Sequence, residues 1–255
     1  MITIEQLKKL AKERGINETV IYREYIQLLF LSEFYKEKLS SKVFFKGGTA
    51  LHLIFQMDRF SEDLDFTVGY DLKDFYDFIF VFFKKMSKIA DVKFKERKTL
   101  TGKTFLMTAE PGVLPYKTFV KLDFSFRESV FKPEKSILKT FYPVLFTSFV
   151  HNLSKDEILA EKIRAVITRT KGRDLYDIWF LLNRGALMDK DLINKKLEYY
   201  DLKEISKGDI LKKIEKFSKK DFILDLRPFV SVGKREELGD LFDFIKEYLK
   251  QNIAA

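Results

Sequence analysis

The stretch Lys46 to Phe66, KGGTALHLIFQMDRFSEDLDF, constrains the fold more than any other part of the chain. Two glycines stop the apolar run VFFK, an apolar set at helical spacing follows (Leu51, Ile54, Phe55), and the chain returns as the strand-like DLDFTV. The spacing predicts a strand, a tight turn, a helix over about Thr49 to Met57, and a second strand over Asp63 to Val68. In a strand, alternate side chains share a face, so Asp63 and Asp65 point the same way with α-carbons roughly 6.5–7 Å apart, while Leu64 points to the core. Two carboxylates so close repel and raise one another's pKa unless a cation lies between them. All-oxygen ligation of that kind favours Mg²⁺ or Mn²⁺.

Asp123, in VKLDFSF, lies on a later strand between apolar neighbours and can add a third carboxylate to the cluster. Three acids converging from two strands suit phosphoryl transfer assisted by two metal ions about 3.5–4 Å apart, which makes all three candidate catalytic and metal-binding residues. Gly47 and Gly48 then acquire a role. They let backbone approach a ligand closely, and Thr49, at the predicted helix start, has a hydroxyl to donate to an anion such as a triphosphate. Arg59, just ahead of the aspartate strand, reads either as a phosphate ligand or as a partner that neutralises Asp63.

Around this unit, helices are expected over residues 3–14 and 18–38, then a Phe-rich helix over 71–90 that must be largely covered. Three strands follow at about 91–99, 103–110 and 117–126. From about Pro143 the character changes. Ser154 and Glu157 have the spacing of a capping box, opening a helix to about Thr170, and further helices are expected at about 174–182, 189–199, 209–217 and 235–250. The expected fold is therefore α+β, a mixed sheet flanked by helices and followed by a helical domain, divided as 1–150 and 151–255. GKT at Gly102 to Thr104 is rejected as a phosphate loop, because Arg97 stands where the first glycine belongs and a strand follows. The phenylalanines read as core rather than as a base-stacking platform.

Composition removes several alternatives. With no cysteine and two histidines among 255 residues, disulfides, thiolate zinc sites and histidine metal cages are excluded. The most apolar run, FYDFIFVFFKKM, is too short to span a bilayer, and the first residues lack the apolar core of a signal peptide, so a soluble cytoplasmic protein without membrane partners is expected. The formal charge of +9 suits a polyanionic partner.

Taken together, GGTAL, RFSEDLDF, KLD, EKIRAVITR and RDLYD resemble the AbiEii/AbiGii-type toxins over about Phe44 to Leu182. These are a branch of the DNA polymerase β-like nucleotidyltransferase superfamily, found as the toxic half of type IV toxin–antitoxin and phage abortive-infection systems. The resemblance implies a nucleotidyltransferase core and a helical C-terminal domain, metals on Asp63 and Asp65 with Asp123 completing the acidic set, and Lys162 contacting the nucleotide's phosphates. Asp174 and Asp177 fall on the family's last acidic motif. Gly48-Thr49 stands where glycine-serine is common. Lys162 and Arg169, seven apart on one helix, share a face able to neutralise phosphates across a cleft. The expectation is an Mg²⁺-dependent enzyme that transfers NMP from an NTP to RNA, tRNA being the expected acceptor, with a cognate antitoxin as a further partner. Two alternatives stand beside it: a kinase of the same fold acting on an antitoxin or other protein, and a non-catalytic nucleic-acid or antitoxin-binding module.

Overall fold

The apolar alternation of the first half closes into one sheet. In the computed structural model, which describes residues 2–99, 101–110 and 112–254, the strands are β1 (Val43–Lys46), β2 (Leu64–Val68), β3 (Val92–Arg97), β4 (Lys103–Ala109), β5 (Thr118–Ser125), β6 (Pro133–Ser136) and β7 (Val150–Leu153). They form a seven-stranded mixed sheet in the order β3-β4-β5-β2-β1-β7-β6. β2 pairs parallel with β5 and antiparallel with β1, whereas β1 pairs parallel with β7. The sequence reading anticipates the first five strands. It does not anticipate β6 and β7, which have four residues each and carry too little alternation to be told from loop.

Helices α1 (Ile4–Arg14), α2 (Glu18–Phe34), α3 (Gly47–Leu53) and α4 (Leu72–Ile89) accompany the sheet. Their starts follow local chemistry: Thr3 and Gln6 form a capping box, and Asn17 and Asp71 each accept a backbone N–H of the first turn. α3 ends at Leu53, earlier than its apolar spacing predicts, because the chain turns through Gln56 at φ 60°. The Phe-rich α4 buries Phe75, Phe78, Phe82 and Phe83, and with α2 it covers one face of the sheet. Phe34 of α2 lies 5.7 Å from Phe66 of β2, which stacks at 4.9 Å on Phe124 of β5, so the phenylalanines are core. At the β3–β4 turn Gly102 has φ +75°, and a Cβ there would lie 2.7 Å from the Phe124 carbonyl oxygen. This is a turn glycine.

The chain divides into two compact units, one holding the residues up to Gln56 with Phe60–Leu153, the other Met57–Arg59 with Ser154 onward. The second is helical: α5 (Lys155–Thr168), α6 (Gly172–Asn183), α7 (Lys190–Glu198), α8 (Lys207–Glu215), α9 (Lys219–Leu226) and α10 (Leu238–Ala254). α9 was not anticipated. Ser154 caps α5 by accepting the Glu157 N–H at 3.2 Å, as its spacing predicts. The Glu157 carboxylate is drawn elsewhere, to the fully buried Lys196 ammonium at 2.8 Å, because a buried lysine needs an opposite charge. No helix among the described residues is long and apolar enough to cross a membrane.

Candidate active site

The acidic residues come together through strand register. Asp65 of β2 lies directly opposite Asp123 of β5 on one side and Lys46 of β1 on the other. Asp63 immediately precedes β2 and shares the Asp65 face. These carboxylates look away from the packed face: Thr118, Val120, Leu122 and Phe124 are buried, while Lys121 and Asp123 are partly exposed. The Lys121 ammonium sits 3.5 Å from Asp63 and 3.4 Å from Asp123. Thr104 of β4, opposite Asp123 in the ladder, donates its hydroxyl to Asp123 Oδ1 at 3.3 Å.

Charge in this cluster is not balanced. Burial, and then the neighbouring Asp63 charge, push the Asp65 carboxyl up to about 6; Asp123 adds to the shift, and Lys121 and Lys46 oppose it. Two lysines, Lys121 and Lys46, beside three carboxylates leave a deficit of positive charge. Among the described residues no group of three or more His, Cys, Asp or Glu side chains is already arranged as a metal cage. The donor set nonetheless fits a hard divalent cation, since every ligand is a carboxylate oxygen and the repulsion that raises Asp65 is what such a cation relieves.

No separate turn precedes α3, which starts at Gly47, two residues before the expected Thr49, and this first glycine is built against the same carboxylates. Gly47 has φ +76°, and a Cβ on it would lie 2.4 Å from Asp65 Oδ2, so a side chain there would displace the carboxylate. Thr49 differs from its expectation. It is fully buried and donates its hydroxyl to the Asp63 carbonyl oxygen, pinning the main chain that carries Asp63 rather than facing a ligand.

The other sequence candidates meet in the helical unit. Arg59 donates from Nε and Nη2 to the two oxygens of Asp177, both at 2.7 Å. The structure thus gives Arg59 a bidentate pair with Asp177. Arg169 makes a similar fork with Asp174 at 2.7 and 3.0 Å. Lys162 bridges the two acids, 2.9 Å from Asp174 and 2.7 Å from Asp177. Burial disfavours both carboxylates, but Lys162 and then Arg169 hold the Asp174 carboxyl well below its ordinary range, and Arg59 with Lys162 lowers that of Asp177. The same two acids raise Lys162 against its own burial. Sequence reasoning missed Lys121, although its position two residues before Asp123 on one strand was a sufficient signal. Thr104 carried no such signal.

The profile of the AbiEii nucleotidyl transferase toxins of type IV toxin–antitoxin systems matches residues 29–247. The chain belongs to the AbiEii family. It is a nucleotidyltransferase toxin of a type IV toxin–antitoxin system, which implies an NTP substrate and an antitoxin. The fold of this AbiEii chain is similar to that of MenT4, a nucleotidyltransferase toxin from Mycobacterium tuberculosis, with a TM-score of 0.60 and 15% identity over 96% of this chain and 90% of that one. It is also similar to JHP933 from Helicobacter pylori, with a TM-score of 0.56 and 19% identity over 93% and 96% of the two chains. No curated protein sequence matches the AbiEii chain.

Proposed function

We propose that the protein transfers a nucleoside monophosphate from an NTP to a hydroxyl of an RNA acceptor, tRNA being the expected one, in an Mg²⁺-dependent reaction. The observation that carries this reading is the unbalanced acidic row, with Asp65 raised to about 6 between Asp63 and Asp123. Asp63, Asp65 and Asp123 would hold the cation, which when bound neutralises the triphosphate and the departing pyrophosphate. Gly47 leaves room for Asp65, Gly48 lets the phosphates approach the backbone, and Thr49 fixes Asp63 through its carbonyl. The acceptor oxygen bonds to the α-phosphorus, the bond from that phosphorus to the bridging oxygen breaks, and pyrophosphate leaves with its electron pair. Asp123, partly exposed beside Thr104, takes the acceptor's proton.

In the helical unit we assign Lys162, with Arg59 and Arg169, to phosphate binding. These three cations face two carboxylates, so the five-residue cluster keeps one positive charge. Asp174 and Asp177 hold Lys162 in place.

The test is incubation with Mg²⁺, total tRNA and each α-labelled NTP in turn, with Asp63→Ala as control. Label on tRNA that disappears in the control is the expected result. Label passing to protein from γ-labelled ATP, with none on RNA, would replace the transferase by a kinase.

A further inference from the structure

The strand register that joins Asp65 to Asp123 continues outward to the sheet edge. Asp123 lies opposite Thr104, and Thr104 lies opposite Arg97 of β3. Two parallel rows follow on the same face: Lys121–Leu106–Lys95, and Phe119–Thr108–Lys93. The opposite face of these strands is packed, with Phe105, Met107, Val120 and Leu122 buried. On the near face Lys93, Lys95 and Arg97 are exposed along β3, Phe119 is 46% exposed, and Leu106 and Thr108 are partly exposed, while Thr104 is buried beside Asp123. Lys93 has Glu110 at 3.4 Å, whereas Lys95 and Arg97 have no acidic partner among the described residues.

From this placement we infer that the near face of β3, β4 and β5 is the docking surface for the single-stranded 3′ end of the RNA acceptor, an inference that rests on the RNA reading above. Three features fit that occupant. Lys93, Lys95 and Arg97 repeat at the same-face spacing of a strand, about 6.5–7 Å, which matches the step between phosphates of an extended single strand. Phe119, in the row of Lys93, presents an aromatic face to an unpaired base. Arg97 stands two strands from Asp123, about 10 Å at ordinary strand spacing, so a strand held at the basic edge ends at the acidic row. Beyond Arg97 a cleft of about 480 Å³ is bordered by Lys98 and by Lys103, the latter paired with Glu96 at 3.4 Å.

Lysines on an edge strand also guard against edge-to-edge aggregation, and the experiment separates the two roles. A short 5′-fluorescein-labelled single-stranded oligoribonucleotide is titrated by anisotropy over a salt series. The proteins are the wild type, the double variant Lys95→Gln/Arg97→Gln, and the double control Lys216→Gln/Lys220→Gln, which removes two exposed lysines of the helical unit. Sedimentation and thermal melting confirm that each protein is folded and monodisperse; if the double variant aggregates, Arg97→Gln alone carries the test. The expected result is affinity weakened about tenfold or more in Lys95→Gln/Arg97→Gln, with a salt slope shallower by about 1.4, and a control like the wild type. Wild-type affinity and slope in the double variant would overturn this surface and leave the RNA reading standing. A wild-type protein that fails to bind the oligonucleotide at low salt would overturn the RNA reading itself, and with it this surface, leaving the face to an acidic protein partner.

Discussion

Two groups of aspartates in this molecule have opposite electrostatics. On the sheet, Asp63, Asp65 and Asp123 have Lys121 and Lys46 beside them, and Asp65 is still pushed up to about 6. In the helical unit, Asp174 and Asp177 are wrapped by two arginine forks and a bridging lysine, and both are held below their ordinary range. Burial pushes the carboxyls of Asp65, Asp174 and Asp177 upward alike, so burial alone does not distinguish the two groups. Compensation does. The carboxylates of the helical cluster are compensated by its own cations, whereas Asp65 takes its charged form less readily than an ordinary carboxylate, a cost that an added cation relieves.

The largest expected effect breaks the compensated cluster. Asp177→Ala leaves Arg59 and Lys162 buried without that carboxylate and should destabilise the protein by about 3–5 kcal/mol in urea unfolding. A loss under 1 kcal/mol would mean the cluster is not a structural unit. Next, Asp65→Asn should reduce nucleotidyl transfer by about a hundredfold or more while leaving the metal-free protein folded. Equal turnover would remove the sheet cluster from the chemistry.

The third prediction follows from sign. Asp65 is raised in the folded state, so the metal-free protein binds its proton more tightly than the unfolded chain does. Stability should therefore rise as pH falls from above about 6 toward 4, by about 1–2 kcal/mol after solvent screening. Asp174 and Asp177 are lowered, so their contribution is present above the unfolded carboxylate pKa and is lost as pH falls below about 4. Melting curves of wild type and Asp65→Asn across this range separate the two limbs. The gain between pH 7 and 4 should vanish in Asp65→Asn, and the loss below 4 should remain. The smallest effect sharpens the comparison: Lys121→Ala, removing a 41% exposed side chain, should destabilise the metal-free protein by only about 0.2–1 kcal/mol in urea unfolding.

Much of the fold was readable because period and punctuation are local. The first five strands, the Phe-rich helix and the helical second half follow from alternation, apolar spacing and caps. β6, β7 and α9 did not, since four- and eight-residue elements carry little periodic signal against a mixed background. The half of the predicted capping box that depends on Glu157 was overridden by Lys196, a residue distant in sequence.

The sequence by itself determined that Asp63 and Asp65 share a face, because side chains on a strand alternate with period two, and that glycine precedes them in a strand, helix and strand. Only the tertiary structure decided who their neighbours are. Parallel pairing of β2 with β5 sets Asp123 beside Asp65, and the ladder through β4 brings up Thr104 and Arg97. It also turned Arg59 toward Asp177 and buried the Thr49 hydroxyl against the main chain. Periodicity is encoded residue by residue, whereas register and ion pairing depend on which distant segments meet, and that is fixed only when the whole core packs.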